Sequence, residues 1–239
     1  MFETAVALFC GHLLADFVFQ TNWIVQHKKR AEVMALHVFI VVALTAVCLG
    51  SLNPLVLGVV LATHLAMDLI KVWRMPDTLL AFGVDQAVHL LVIAGLVVAC
   101  PDTAVLGLWG RLPADAQNLI WPAMAIVAGL IVTMPAGGLV MRKLTTPLAP
   151  RLNPIRGMPQ GGRWIGWLER GLIFAFVFYG HLEGVGFLLT AKSILRFGDI
   201  TDQKKRVHTE YIIIGTMLSF GWGLVVAMTT LAAVHHWLP

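Results

Sequence analysis

TLLAFGVDQAVHLLVIAGLVVAC (78–100) runs for 23 residues with only three strongly polar ones, Asp85, Gln86 and His89. Its length exceeds the roughly 20 apolar residues that carry an α-helix across a bilayer. No apolar–polar alternation of period two runs through it, which excludes a strand of an outer-membrane barrel. Helix is the other way to satisfy every backbone N–H and C=O in hydrocarbon. Asp85 and His89 stand four residues apart and therefore share one face of that helix.

Working outward, seven more apolar runs appear at 2–19, 32–49, 54–70, 118–141, 164–182, 184–195 and 211–234. The whole chain of 239 residues is 58% apolar and 13% charged, against roughly 45–50% and 25% in soluble domains. A soluble fold is excluded, and the expectation is an all-α, polytopic membrane bundle of about 7–8 transmembrane helices. Run one carries Glu3, has no basic stretch before it and ends on Asp16 and Gln20, so a retained span is expected rather than a cleaved signal. Cys10, Cys48 and Cys100 lie in apolar runs without CxxC spacing and read as small buried residues with no role in a disulfide or thiolate site.

The basic residues set the expected orientation. Lys28, Lys29 and Arg30 follow run one, and Lys71 and Arg74 close run three. Arg142, Lys143, Arg151, Arg156, Arg163 and Arg170 surround the loop after run five, and Lys192, Arg196, Lys204, Lys205 and Arg206 precede run eight. Only Arg111 falls on the other side, so the positive-inside rule puts these loops in the cytoplasm and both termini in the periplasm. The net charge of +4 reflects orientation, and no nucleic-acid module is indicated. Run seven is short and reads either as a span or as a re-entrant segment; a re-entrant one would put the C-terminus inside. The Pro-, Gly- and Arg-rich cytoplasmic loop 142–163 suggests a four-helix N-terminal half, 1–110, and a C-terminal transmembrane half, 111–239. There is no internal repeat.

Polar residues inside the runs carry the functional argument, because each costs several kcal/mol near the bilayer centre unless paired, hydrated or metal-bound. His12/Asp16, His64/Asp68 and Asp85/His89 are all i,i+4 pairs. Counting inward at 1.5 Å per residue from the cytoplasmic ends places Asp16, His37, Asp68 and Asp85 in one layer and His12, His64 and His89 about one turn deeper. Imidazole and carboxylate together suit zinc first, with iron or manganese also open. The candidate metal ligands are His12, Asp16, His37, His64, Asp68, Asp85 and His89, enough for one ion or two, with Asp16, Asp68 or Asp85 as catalytic base. A hydrogen-bonded polar core that only fixes helix contacts would use the same residues. Gln20 and Lys71, one turn nearer the cytoplasm, are candidates for gripping an anionic group, although Lys71 would also snorkel. Glu169, Arg170, Lys192, Arg196 and Glu210 are expected to form a charge network near the same interface, with an anion site as the alternative. Trp121, Trp164, Trp167 and Trp237 suit the interfacial belt. His181, His208, His235 and His236 fall at span ends or loops.

The stretches CGHLLADFVFQT (10–21), HLAMDLIK (64–71) and DQAVH (85–89), with His37 between them, resemble the bacterial membrane-protein family known as domain of unknown function 3307. ERGLI (169–173), AKSILRF (191–197) and EYIIIGTMLS (210–219) extend the resemblance along the chain. It implies a bacterial inner-membrane location and no established activity. The His/Asp pattern is similar, more distantly, to inner-membrane metal-dependent hydrolases.

The leading functional expectation is a membrane-embedded metal-dependent hydrolase with a lipid or amphipathic substrate at the cytoplasmic leaflet. A divalent-cation or proton transporter or channel is the alternative, and a non-catalytic membrane scaffold a third. Membrane lipid is the expected partner, and the oligomeric state stays open. Against transport stand the missing repeat and the apolar character of runs two to four beyond His37, His64 and His89.

Overall fold

The computed structural model describes residues 1–151, 158, 160–195 and 206–238, and no strand occurs among them. In chain order the α-helices are α1 Phe2–Leu13, α2 Asn22–His27, α3 Ala31–Leu49, α4 Pro54–Arg74, α5 Leu79–Ala99, α6 Ala114–Ile131, α7 Gly137–Thr145, α8 Gly161–Phe178, α9 Leu182–Leu195 and α10 Arg206–Val234. Two π-helical turns, Leu14–Phe19 and Val132–Ala136, follow α1 and α6.

Among the described residues, six stretches are long and apolar enough to cross a membrane: Phe2–Phe19, Ala31–Leu49, Pro54–Arg74, Leu79–Ala99, Ala114–Leu148 and Thr209–Val234. Runs six and seven are the two that fall short. The first becomes α8, whose 18 residues include Arg163, Glu169 and Arg170. The second becomes α9, whose 14 residues reach only about 21 Å at 1.5 Å per residue, less than the roughly 30 Å of a hydrocarbon core. Charged and imidazole side chains share the interior with an apolar core, and many large apolar side chains lie outside it. His37, Asp68 and Asp85 are buried while Phe39, Leu91 and Val98 are exposed, as expected where lipid is the solvent. The chain is a multi-pass membrane protein built as a helical bundle.

The described residues form two compact units, Met1–Ile131 with Ala233–Pro239, and Val132–Ala232. In the first, α1 packs against α3, α5 and α6, and α4 closes the gap between α3 and α5. Side-chain caps start α2, α4 and α5. Thr21 accepts a hydrogen bond from Ile24 N, Asn53 accepts from Leu55 N and Val56 N with Pro54 behind it, and Thr78 accepts from Ala81 N. These side chains satisfy N–H groups that a helix start leaves without partners. Gly50 ends α3 in the left-handed region at φ 59°, which glycine adopts without steric cost. The loop after α5 folds back onto this end, with Leu108 N donating to Gly50 O and Trp109 Nε1 to Val47 O. At Gly11 a Cβ would come within 3.1 Å of Thr45 Cα, so α1 and α3 approach as closely as backbones allow and bring His12 and His37 toward each other.

In the second unit, the π-turn at Val132–Ala136 contains Pro135, which has no N–H to give to the helix. Carbonyls of this turn accept from side chains. Trp222 Nε1 donates to Val132 O at 3.0 Å, Arg170 Nε to Thr133 O at 2.7 Å, and Arg170 Nη2 to Met134 O at 3.2 Å, while Arg170 Nη1 donates to Ser219 Oγ at 2.9 Å.

Candidate metal centre

His12 ends α1, and Asp16 lies in the π-turn that follows. The i→i+5 turn adds a residue to the helical cycle and redirects the side chains beyond it. Asp16 keeps its helical neighbour, with Oδ2 3.8 Å from His12 Nδ1, while Oδ1 lies 3.4 Å from His37 Nε2 and 3.5 Å from His64 Nε2. His37 enters from α3 with no exposed surface, and its Nε2 lies 3.1 Å from His64 Nε2. From α4, one turn past His64, Asp68 Oδ2 sits 3.4 Å from both of these nitrogens. Two triangles therefore share the His37–His64 edge, one completed by Asp16 Oδ1 and the other by Asp68 Oδ2. Ligand atoms held 2.0–2.1 Å from one tetrahedral ion stand roughly 3.3 Å apart, and every edge of both triangles is 3.1–3.5 Å.

Neither Asp16 Oδ1 nor Asp68 Oδ2 receives a hydrogen bond, although both are buried. Buried carboxylate oxygens are ordinarily satisfied. Here each is aimed between imidazole nitrogens, as ligand atoms are aimed at a common point.

A second group adjoins the first. One ligand atom from each of His12, His64 and His89 lies within 4.8 Å of the others, as does one from each of Asp16, His37 and His64. The rings of His64 and His89 are stacked with centroids 4.4 Å apart, and those of His12 and His89 are 5.0 Å apart. Asp85 Oδ1 lies 3.4 Å from His89 Nε2. All seven residues expected as ligands thus come together inside the first unit, on α1 and its π-turn, α3, α4 and α5.

Two ammonium groups enter the cluster. Lys71 Nζ donates to Asp85 Oδ2, and Lys28 Nζ donates to Asp68 Oδ1 at 2.7 Å, with Lys28 only 7% exposed. In the sequence, Lys28 is one of the three orienting loop charges at 28–30. The short α2 turns the chain so that the first of the three points inward, and nothing in the triplet itself marks which one does. Gln20 Nε2 donates to His37 Nε2 at 2.9 Å. Gln86 joins two members, Nε2 donating to Asp85 Oδ2 at 3.1 Å and Oε1 accepting from His12 Nε2 at 3.3 Å. Gln20 and Lys71, expected as anion-binding groups, therefore make their contacts within the cluster. With neutral imidazoles, three carboxylates face two ammonium groups, and the remaining negative charge, centred on Asp16, faces the rings of His12, His37 and His64. A buried charge of this kind is costly until a cation joins it.

The second unit holds the other expected group. Lys192 Nζ donates to Glu169 at 2.7 Å and lies over the Phe220 ring. Arg170 makes the carbonyl and Ser219 contacts described above in place of a carboxylate pair, Glu210 lies early in α10, and Arg196 lies outside the described residues. Arg163 sits over the Trp167 ring at 4.7 Å. His181 pairs with Glu183 on the surface, and the His236 ring lies 4.5 Å from that of Phe2. The side chain of His208 lies outside the described residues.

Among known proteins, residues 5–106 match the model of a family described as "Protein of unknown function (DUF3307)". No curated protein and no solved structure matches. The matched segment contains every residue of the His/Asp cluster and both of its lysines, and it stops before 169–173, 191–197 and 210–219.

Proposed function

We propose, for a chain whose residues 5–106 belong to the DUF3307 family, a membrane-embedded metal-dependent hydrolase. Its substrate is a lipid or other amphipathic molecule at the cytoplasmic leaflet of a bacterial inner membrane, and both termini face the periplasm. The observation that carries this reading is the convergence of Asp16 Oδ1, His37 Nε2 and His64 Nε2 at 3.1–3.5 Å with the buried oxygen unsatisfied. Two imidazoles and one carboxylate on one face leave further coordination positions open, the pattern of a catalytic rather than a closed structural site.

A divalent ion, when bound, lowers the pKa of a coordinated water and polarises an ester oxygen. The chain's own residues do the rest. Asp16, His37 and His64 hold the ion. Asp68, fixed through Oδ1 by Lys28, presents Oδ2 on the same nitrogens and takes the proton from water. Gln20 donates to the same His37 Nε2, a contact that a bound ion would replace. Lys71, about one-third exposed and shared with Asp85, meets an anionic head group arriving from the basic end of the bundle.

A second reading, passage of a divalent cation or protons, draws on one observation. A small cavity continues from His12, His64 and His89 away from Asp16, and Thr45 and Thr63 bring hydroxyls to its wall. The two readings separate in proteoliposomes of phosphatidylethanolamine and phosphatidylglycerol loaded with zinc. Hydrolysis should appear as lysolipid, diacylglycerol or released head group, with no zinc flux. Metal analysis tests the centre directly. The protein purified in zinc-replete medium should carry stoichiometric transition metal, and His64→Ala or Asp16→Asn should lose it while staying monodisperse in detergent. A wild type that never holds transition metal would overturn the reading and leave a hydrogen-bonded polar core.

A further inference from the structure

Asp85 repeats what Asp68 does. Each accepts an ammonium on one carboxylate oxygen, Lys28 on Asp68 Oδ1 and Lys71 on Asp85 Oδ2. Each leaves the other oxygen buried, without a hydrogen bond, and 3.4 Å from an imidazole Nε2. At Asp85 the facing nitrogen, His89 Nε2, is itself buried and unpartnered. A carboxylate and an imidazole built only to satisfy each other would bond through N–H, which costs nothing and spares both the penalty of burial. These two face the same space without doing so.

His12 supplies the third donor. Its Nε2 donates to Gln86 Oε1, so Nδ1 carries the ring's lone pair. The other end of Gln86 donates to Asp85 Oδ2, so one amide fixes both the His12 tautomer and the Asp85 rotamer. One ring nitrogen from each of His12, His64 and His89 lies within 4.8 Å of the others.

We propose that His12, Asp85 and His89 form a second site for a divalent transition-metal ion, beside the Asp16–His37–His64 site and next to the ring of His64. Two imidazoles and a carboxylate, the donor set of the first site, recur here on α1 and α5. The inference deepens the metal reading above, yet it rests on its own residues and can fail or stand separately. With both sites filled, the cluster would be a two-ion centre, which would supply positive charge to the attacking water and to the leaving oxygen.

The test is the number of ions bound and where they go. Purified full-length protein is stripped with chelator and titrated with zinc by equilibrium dialysis, and cobalt in zinc's place gives the visible absorption of each occupied site. Two ions per wild-type chain are expected. His89→Gln and Asp85→Asn should each bind one, with one cobalt spectrum lost, and His37→Gln should lose the other spectrum. Using two variants at the second site guards against one that misfolds, and a monodisperse size-exclusion profile qualifies each. A single ion whose binding is indifferent to His89→Gln and Asp85→Asn overturns the second site and leaves the proposed function intact. A single ion lost with His89→Gln and kept with His37→Gln overturns the first site and leaves this one. No ion at all overturns both.

Discussion

Replacing Lys28 by methionine would keep most of its apolar stem and remove the ammonium. Asp68, 2% exposed, would then face the interior with no cation on Oδ1. Breaking a buried pair from one side costs about 3–5 kcal/mol, because the remaining charge stays desolvated. Lys28→Met should therefore lower the thermal midpoint in detergent sharply. Lys29→Met, at an exposed neighbour, should stay within about 0.5 kcal/mol. Adding Asp68→Asn to Lys28→Met should restore part of the loss. Equal behaviour of the two lysine variants would show that no ion pair joins residues 28 and 68.

Two elements depend on close approach rather than on charge. The α1–α3 crossing has no room for a Cβ at Gly11, since the nearest atom is the Thr45 backbone, which cannot move aside as a side-chain tip would. Gly11→Ala should cost about 1–3 kcal/mol, read by thermal unfolding, whereas Gly95→Ala, with open space around it, should be neutral or stabilising in α5. In the second unit the π-turn depends on Arg170, whose planar guanidinium serves three acceptors at once. Lysine offers a point charge on a flexible stem and cannot reproduce that fork. Arg170→Lys should recover little of the stability lost in Arg170→Ala, and hydrogen exchange should rise at residues 133–137 in both. Full rescue by lysine would reduce Arg170 to a carrier of charge.

For the whole chain, topology turns on α8 and α9. With six crossings or eight, both termini face the same side, and only seven would part them. Reporters fused at residue 1 and after residue 239 are expected to read periplasmic together, and one placed in the Gly180–His181 turn tells six crossings from eight. A cytoplasmic C-terminus would refute the paired behaviour of α8 and α9. The bundle itself was legible in the sequence because a bilayer imposes a length and an apolar composition on each span separately. The i,i+4 pairs at 12/16, 64/68 and 85/89 were legible for the same reason, helical periodicity being a property of one segment at a time. What the tertiary structure alone decided joins residues distant in the chain: Lys28 to Asp68, Gln20 to His37, Gln86 to His12, and Arg170 to the carbonyls of Thr133 and Met134. Such partners depend on where a short α2 turns the chain and on a π-turn that rotates Asp16 toward His37 and His64. The π-turn has no residue pattern of its own, and the Thr21 cap that starts α2 does not say which side chain the chain then turns inward, because both outcomes arise from the fit of helices whose side chains had no local reason to meet.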